Sequence, residues 1–249
     1  MANLNRRFNF LLLSNIASWA IIALFVLTGF SYQTRTRFAE IDVERINVVG
    51  TNGRPVLVLS NRRLIPGPSM NGKTYPRALA DGRDLLSGMI FFNEEGDEVG
   101  GLIYNGIKKE SGYSAVGHLS FDQWKQNQVV ALQYLDNGNS RRAGLRVWDR
   151  PSDVSFDKQL DRSLRFMQST GNERDTVRRE IEAARARGEL GTERLFVGSQ
   201  DGTAHIELRD KQGRVRARLY VDAKDVARLE FLDSDGKLVA GYPSGESKE

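Results

Sequence analysis

Residues 206–217 read IELRDKQGRVRA, and this short stretch shows how most of the chain is built. Two runs that alternate between apolar and charged residues flank the turn Asp-Lys-Gln-Gly. An aspartate at the start of a turn bonds the backbone, and a glycine at its end accepts a positive φ. The stretch therefore predicts a β-hairpin with a four-residue loop, in which Leu208 faces Val215 and Glu207 faces Arg216.

The same arrangement recurs along the chain. Turn tetrads of this kind lie at 50–53, 93–96, 199–202, 210–213 and 233–236, with a variant at 136–139. Equivalent four-residue loops put Val197 against Ala204 and Phe231 against Leu238. With a further turn at 222–225, residues 195–242 predict a five-stranded antiparallel meander.

Upstream and central segments complete the domain. Further strands are predicted at 89–92, 101–104, 116–121, 129–135 and 141–148. Residues 60–83, rich in proline and glycine, predict a long surface loop. Between 153 and 191 the apolar period lengthens to about 3.6, which predicts a pair of helices with Asn172 as the N-cap of the second.

These elements predict a mainly β chain with one soluble domain. We expect that domain to span residues 41–242 as an antiparallel sandwich or irregular barrel of repeated hairpins, with the two-helix hairpin inserted at 153–191. Residues 243–249 are expected to form a disordered tail.

The N-terminal stretch 8–30 reads FNFLLLSNIASWAIIALFVLTGF and contains no charged residue. At ~1.5 Å per residue such a helix crosses a hydrocarbon core of ~30 Å. We expect an uncleaved signal-anchor in a lipid bilayer, preceded by a short tail, 1–7, and followed by a short linker, 31–40. Arg6 and Arg7 favour a cytoplasmic N-terminus and hence an extracytoplasmic domain.

Composition narrows the function. The chain has no cysteine, which excludes disulfides and thiolate chemistry, and its net charge of +4 comes from interleaved acidic and basic residues. Nucleic-acid binders concentrate their charge on one surface, so we expect no nucleic-acid partner. The chain contains no phosphate-binding loop, zinc-protease motif or EF-hand loop, so the sequence predicts no metal site and no cofactor.

Residues 121–128 read FDQWKQNQ and contain the most site-like combination in the chain. Asp122, Gln123 and Trp124 combine a carboxylate, an amide and a flat aromatic ring, which suits the binding of a sugar. Glu95, on the acidic turn 94–98, is a second candidate carboxylate. The alternative is an amphipathic bend in which Trp124 packs on the core together with Phe121.

The chain has two histidines, and neither belongs to a recognisable catalytic set. His118 is predicted to be a strand residue whose hydrogen bonds are satisfied by its neighbours. His205 is expected on an exposed face of the meander, close to Arg218.

Several segments resemble those of a group of uncharacterised bacterial proteins with one N-terminal membrane span. They are IDVERINVV (41–49), GMIFFNEEG (88–96), GLIY (101–104), FDQW (121–124), RLFVG (194–198) and RLEFL (228–232). The resemblance covers nearly all of the soluble part and implies a tethered β architecture in a bacterial envelope. The group supplies no activity, so it assigns no functional residue.

The leading hypothesis is a membrane-tethered binding or scaffold domain without chemistry of its own, whose partners include the bilayer and other envelope proteins. One alternative is an enzyme that acts on envelope glycan, with Asp122 and a carboxylate of the turn 94–98 as acid and base. Another is a subunit of a larger membrane complex that contacts its partners through the helical hairpin.

Overall fold

The computed structural model of the chain describes residues 2–29, 36–80, 82–222 and 224–243. They divide into two compact units, Met1–Asp42 and Val43–Glu249. The end of the predicted span at Phe30, half of the predicted linker (31–35) and the predicted tail from 244 onward lie outside the described residues.

The first unit contains one long helix, α1, Ala2–Gly29. Its segment Asn5–Leu24 is long and apolar enough to cross a membrane. The helix begins well before residue 8, so the predicted tail 1–7 is helical from Ala2 onward. No proline or glycine interrupts the sequence before Gly29, and nothing local therefore stops the helix from extending.

In its described residues the second unit contains fourteen strands, two α-helices and two 3-10 turns. The strands are β1 Arg45–Val49, β2 Pro55–Ser60, β3 Ser69–Met70, β4 Lys73–Thr74, β5 Ser87–Phe92, β6 Glu98–Lys108, β7 Tyr113–Asp122, β8 Gln128–Asp136, β9 Arg141–Asp149, β10 Thr192–Gln200, β11 Thr203–Arg209, β12 Val215–Val221, β13 Ala227–Leu232 and β14 Leu238–Tyr242. The helices are α2 Phe156–Gln168 and α3 Gly171–Ala186, and the 3-10 turns are Arg77–Leu79 and Arg83–Leu85.

Twelve of the strands form one antiparallel sheet in the order β1-β2-β5-β6-β7-β8-β9-β10-β11-β12-β13-β14, and β3 pairs only with β4. The prediction of a mainly β domain of antiparallel hairpins is confirmed, as is the C-terminal five-stranded meander. Within the described residues the large sheet is single and its strand order is linear, in place of two stacked sheets or a closed ring.

The predicted pairing registers are displaced by two residues. Leu208 faces Ala217 rather than Val215, and Glu207 faces Arg218 rather than Arg216. The turn closes with the Asp210 N–H donating to the Arg214 carbonyl, which displaces the pairing by one residue, and a bulge at Leu208/Arg209 displaces it by one more.

The other hairpins shift in the same direction. Val197 faces Ile206 because the loop contains only Asp201 and Gly202, both at positive φ, and Phe231 faces Ala240. A slip of two residues leaves every side chain on its predicted face, which is why the fold survives the error in register.

The inserted helical hairpin is confirmed. Leu160 of α2 is buried, and Val177 and Ala184 of α3 are fully buried on one face of that helix. Helix α3 begins at Gly171 with Thr170 at the N-cap position, rather than at the predicted Asn172.

The prediction of a surface loop at 60–83 is wrong. Ile65 packs with Leu86 and Ile90, while Met70 and Tyr75 pack against Leu160 of α2. Proline and glycine prevent long regular elements here, but the apolar residues between them still gain by leaving water. The segment 60–86 is therefore a packed layer between the sheet and α2.

The sheet has two different faces because side chains alternate along each strand. The cavity face contains the paired residues Ile103, His118 and Gln133, and it is the face that the segment 60–86 and α2 cover. The apolar face contains their chain neighbours, such as Leu102 and Leu132, on the opposite side of the sheet.

Candidate ligand-binding cavity

A cavity of about 630 Å³ lies between the cavity face of β6–β8, the segment 60–86 and helix α2. Strand alternation explains how one strand supplies much of its lining. In β7 the even-numbered residues point into the cavity, and they are Ser114, Val116, His118, Ser120 and Asp122. Helix α2 closes the other side with Phe156, Gln159, Leu160 and Ser163.

A buried ion pair lies at one side of the cavity. Arg83 NH1 donates to Glu98 Oε2 at 2.8 Å, and Arg83 NH2 donates to Glu98 Oε1, which makes the pair bidentate. Arg83 NH1 also donates to the Pro66 carbonyl at 3.1 Å. The Arg83 side chain is only 8 % exposed, so its charge depends on Glu98 for compensation.

Asp122, at the end of β7, is the most perturbed acid in the cavity. Burial raises the pKa of the Asp122 carboxyl to about 8, and the negative charge of Glu98 adds to the effect, against smaller opposing contributions from Arg150 and Arg83. At neutral pH Asp122 is therefore mainly protonated and can donate a hydrogen bond as well as accept one.

His118 lies four residues before Asp122 on the same face of β7. Gln133 Nε2 lies 3.1 Å from His118 Nδ1, and Arg146 NH1 donates to Gln133 Oε1 at 2.7 Å. Because the Gln133 oxygen already accepts from arginine, its amide nitrogen donates to Nδ1 and leaves the His118 proton on Nε2. Burial, with a contribution from Arg146, lowers the pKa of His118 and keeps it neutral.

The cavity also holds polar groups that have no partner in the protein. Within the described residues, the side chains of Asp122, Gln128, Gln159 and Ser163 make no hydrogen bond to other protein groups. Asn105 Oδ1 is buried and likewise lacks a partner. Buried polar groups are normally satisfied, so this lining is suited to a ligand, or to water, that forms several hydrogen bonds.

The predicted residues Gln123, Trp124 and Glu95 lie outside this cavity lining. The Trp124 side chain is 63 % exposed on the β7–β8 turn. Gln123 Nε2 lies 3.4 Å from the backbone carbonyls of Arg150 and Pro151, the outer limit of a hydrogen bond. Only Asp122 of the predicted set points into the cavity.

Glu95 and Trp124 nevertheless come together on the surface, because both contact Lys125. The Lys125 ammonium pairs with Glu95 and, at 2.5 Å, with the buried Asp97, and it lies 5.2 Å from the centroid of the Trp124 ring. The alternative prediction, in which Phe121 and Trp124 pack on the core, is wrong because both side chains are exposed.

The remaining histidine departs from its prediction. The side chain of His205 is mostly buried, its ring lies 4.9 Å from that of Phe196, and it pairs with Tyr220 across the sheet. His205 lies on the same side of the sheet as the cavity, where polar side chains are less exposed than the apolar side chains on the opposite face. The prediction of an exposed His205 is therefore wrong.

Sequence reasoning missed Arg83, Gln128 and Gln159, and it included Glu98 only as one of the carboxylates of the turn 94–98. Only the alternation of polar residues in β7, from Ser114 to Asp122, signalled a polar-lined face. In the part of the chain that the structure describes, no three His, Asp or Glu side chains come together as metal ligands. Comparisons with protein-family models, curated proteins and solved structures found no match.

Proposed function

We propose that this chain is a single-pass membrane protein whose extracytoplasmic β domain binds a small, neutral, hydroxyl-rich ligand, such as a saccharide unit, in the cavity. The observation that carries the proposal is the set of unpartnered polar groups around the protonated Asp122. Such a site pairs a ligand hydroxyl with each free donor or acceptor.

The charge of the lining supports a neutral ligand. Arg83 and Glu98 neutralise one another, while Asp122 and His118 are both uncharged near neutral pH. A charged ligand would therefore meet no free counter-charge among the residues that line the cavity, and it would lose hydration on entry. The volume lies within the ~300–1,000 Å³ usual for small-molecule sites.

The binding test uses the full chain in detergent with a panel of neutral saccharides and their charged derivatives. We expect neutral saccharides to bind by calorimetry and to raise the thermal unfolding midpoint, and Gln159→Leu to weaken that binding. Trp124→Ala is the matched control, since Trp124 lies outside the cavity. Loss of binding in Trp124→Ala with none in Gln159→Leu would assign the ligand to the surface instead.

The membrane placement is tested separately with reporter fusions in cells. A reporter that is active only outside the cytoplasm, fused after Tyr242, is expected to be active, and a reporter that requires the cytoplasm is expected to be inactive. The reverse result would place the domain in the cytoplasm.

A second candidate function is glycoside hydrolysis in the same cavity. Asp122 and Glu98 are two carboxyl groups that line the same cavity. Burial raises the pKa of Asp122 to about 8, and Glu98 accepts hydrogen bonds from Arg83. That is the combination of acid and base that hydrolysis of a glycosidic bond uses. Asp122→Asn is then expected to abolish cleavage of envelope glycan while saccharide binding persists; a variant that still cleaves would contradict it.

A further inference from the structure

The apolar face of the large sheet carries two rows of apolar side chains, interrupted only at Gly100. Each row takes one residue from each of the twelve strands, and each residue faces the next across a strand pair. The row from Ile46 to Tyr242 reads I-L-M-L-L-L-L-V-I-L-L-Y. The row from Val48 to Ala240 reads V-L-F-G-F-V-V-L-L-A-F-A.

Most of these side chains are exposed. Leu132 is 59 % exposed and Phe121 is 54 % exposed, and more than half of the twenty-four positions are large apolar residues that expose over a third of their surface. The segment 60–86 and helix α2 lie on the cavity face, so no described element of this unit covers the two rows.

The area is large enough to require a partner. Twelve strands at ~4.8 Å spacing extend the rows over ~50 Å. The exposed side chains offer on the order of 1,000 Å² of apolar surface, above the ~300–600 Å² of the largest patch on a typical monomer. Each partner of a stable protein interface contributes ~800 Å².

The shape and charge of the surface favour a second copy. A sheet face packs against another sheet at ~10 Å, with the strands of the two sheets within ~30° of one another. A row of ~50 Å is covered fully only by an equally long surface, and a second copy provides one. Neither row contains a charged residue, so self-association brings no like charges together.

We propose that two copies of this chain associate face to face through these rows and form a β-sandwich with two-fold symmetry. The ionic cavity face of each copy then points outward, with its ligand cavity accessible. The interface does not depend on the proposed ligand, since the cavity lies on the other side of the sheet.

Cysteine crosslinking of the full chain in native membranes tests the interface, because the chain has no cysteine of its own. Leu132→Cys and Leu145→Cys lie at the middle of the first row, where a fully overlapping two-fold dimer places each residue closest to its own copy. A bismaleimide with a spacer of ~10 Å, the separation of packed sheets, is expected to give a covalent dimer from either variant. Met167→Cys, an exposed apolar position on α2, is the matched control and is expected to stay monomeric.

A second pair of substitutions separates this interface from contacts made by α1. Ile206→Glu and Leu219→Glu, added to Leu132→Cys, would bury charge in the proposed interface. We expect the yield of covalent dimer to fall to the level seen with Met167→Cys. A dimer that persists unchanged would come from α1 alone and would overturn the proposal.

Other outcomes also decide the matter. Equal crosslinking of Leu132→Cys and Met167→Cys would indicate random collision and would overturn the proposal. If the row cysteines crosslink only to other proteins, the apolar face binds a different protein and the proposal is wrong. If the chain stays monomeric and its row cysteines do not react with a monofunctional maleimide, lipid or another protein covers the face, and the proposal is also wrong.

Discussion

The raised pKa of the single residue Asp122 makes the stability of the protein depend on pH. Its pKa is ~3.9 in an unfolded chain and about 8 in the fold. Between those two values the unfolded chain binds fewer protons than the native state, so the free energy of unfolding falls as pH rises, by up to ~1.4 kcal/mol per pH unit. The contribution is complete below pH ~4 and is lost by about pH 8.

Asp122→Asn removes this ionisation while keeping the shape of the side chain. We expect the variant to match the parent chain in stability at pH 4 and to exceed it by a few kcal/mol at pH 8, because only the parent has lost stability through ionisation of a buried acid. Chemical unfolding followed by circular dichroism from pH 4 to pH 8 measures the difference. A constant difference across that range would contradict the assignment.

The Arg83–Glu98 pair gives a second prediction at this scale. Glu98→Gln leaves the buried guanidinium without its counter-charge, and we expect a loss of ~3–5 kcal/mol in the free energy of unfolding. The matched control is Glu44→Gln, whose partner Arg63 is exposed, and it is expected to leave stability unchanged. Equal effects of the two substitutions would show that burial does not determine the strength of the pair.

Glu98→Gln is also expected to lower the pKa of Asp122, because the like charge that helps to raise it is gone. A carboxyl titration followed by carbon-13 NMR distinguishes this effect from the change in stability.

The site could be predicted only in part from the sequence. Asp122 attracts attention because carboxylate, amide and indole adjoin in 121–124, yet β7 ends at Asp122. Gln123 and Trp124 lie on the turn beyond the strand, so only Asp122 enters the cavity. Arg83 and Gln159 reach the same cavity from segments 76 residues apart in the chain, and nothing local in the sequence indicates that they meet.

At the scale of elements, close contacts between strands fix the positions where glycine is required. A Cβ on Gly198 would lie 2.1 Å from the Ala143 carbonyl oxygen and 2.7 Å from Gly144 Cα, with the Phe196 ring also in contact. Gly106 in β6 has open space around it.

We therefore expect Gly198→Ala to destabilise the protein by ~1–3 kcal/mol through overpacking of β9 against β10. Gly106→Ala should be neutral or slightly stabilising, since it lowers the entropy of the unfolded chain without a clash. Thermal unfolding of both variants under one condition compares them. Similar losses in both would show that backbone entropy, rather than the strand contact, controls the effect.

The elements themselves were largely predictable, because alternation and turn chemistry are local. The register was not, since a bulge at Leu208/Arg209 and a two-residue loop at 201–202 depend on how the strands twist once they pair. The burial of Met70 and Tyr75 against Leu160 also escaped prediction, because Leu160 lies 90 and 85 positions further along the chain.

At the scale of the whole molecule, burial is inverted over the C-terminal part of the sheet. In β11 the side chain of Glu207 is 17 % exposed while its neighbour Leu208 is 51 % exposed. Ion pairs such as Arg209–Glu207 occupy the more buried face. A single copy therefore leaves its apolar side chains in water, and association through the apolar rows restores the usual arrangement.

This inversion predicts uneven hydrogen exchange across the sheet. Strands β5–β8 lie beneath the segment 60–86 and α2, whereas no described element covers either face of β12–β14. Local opening costs least where packing is least, so we expect amides in β12–β14 to exchange faster than those in β5–β8. Exchange measured by mass spectrometry on the full chain, peptide by peptide, gives the comparison, and uniform protection over all strands would contradict it.

The proposed interface predicts where substitutions change the hydrogen exchange of the sheet. If the apolar rows pack against a second copy, they supply the main tertiary packing of the C-terminal strands, and Ile206→Glu with Leu219→Glu removes it. Exchange in β10–β13 should then accelerate, while β5–β8 keep the protection given by their own covering layer. Met167→Glu, which alters an exposed position on α2, controls for the added charge. Equal acceleration in both regions would show instead that the sheet opens as one cooperative unit.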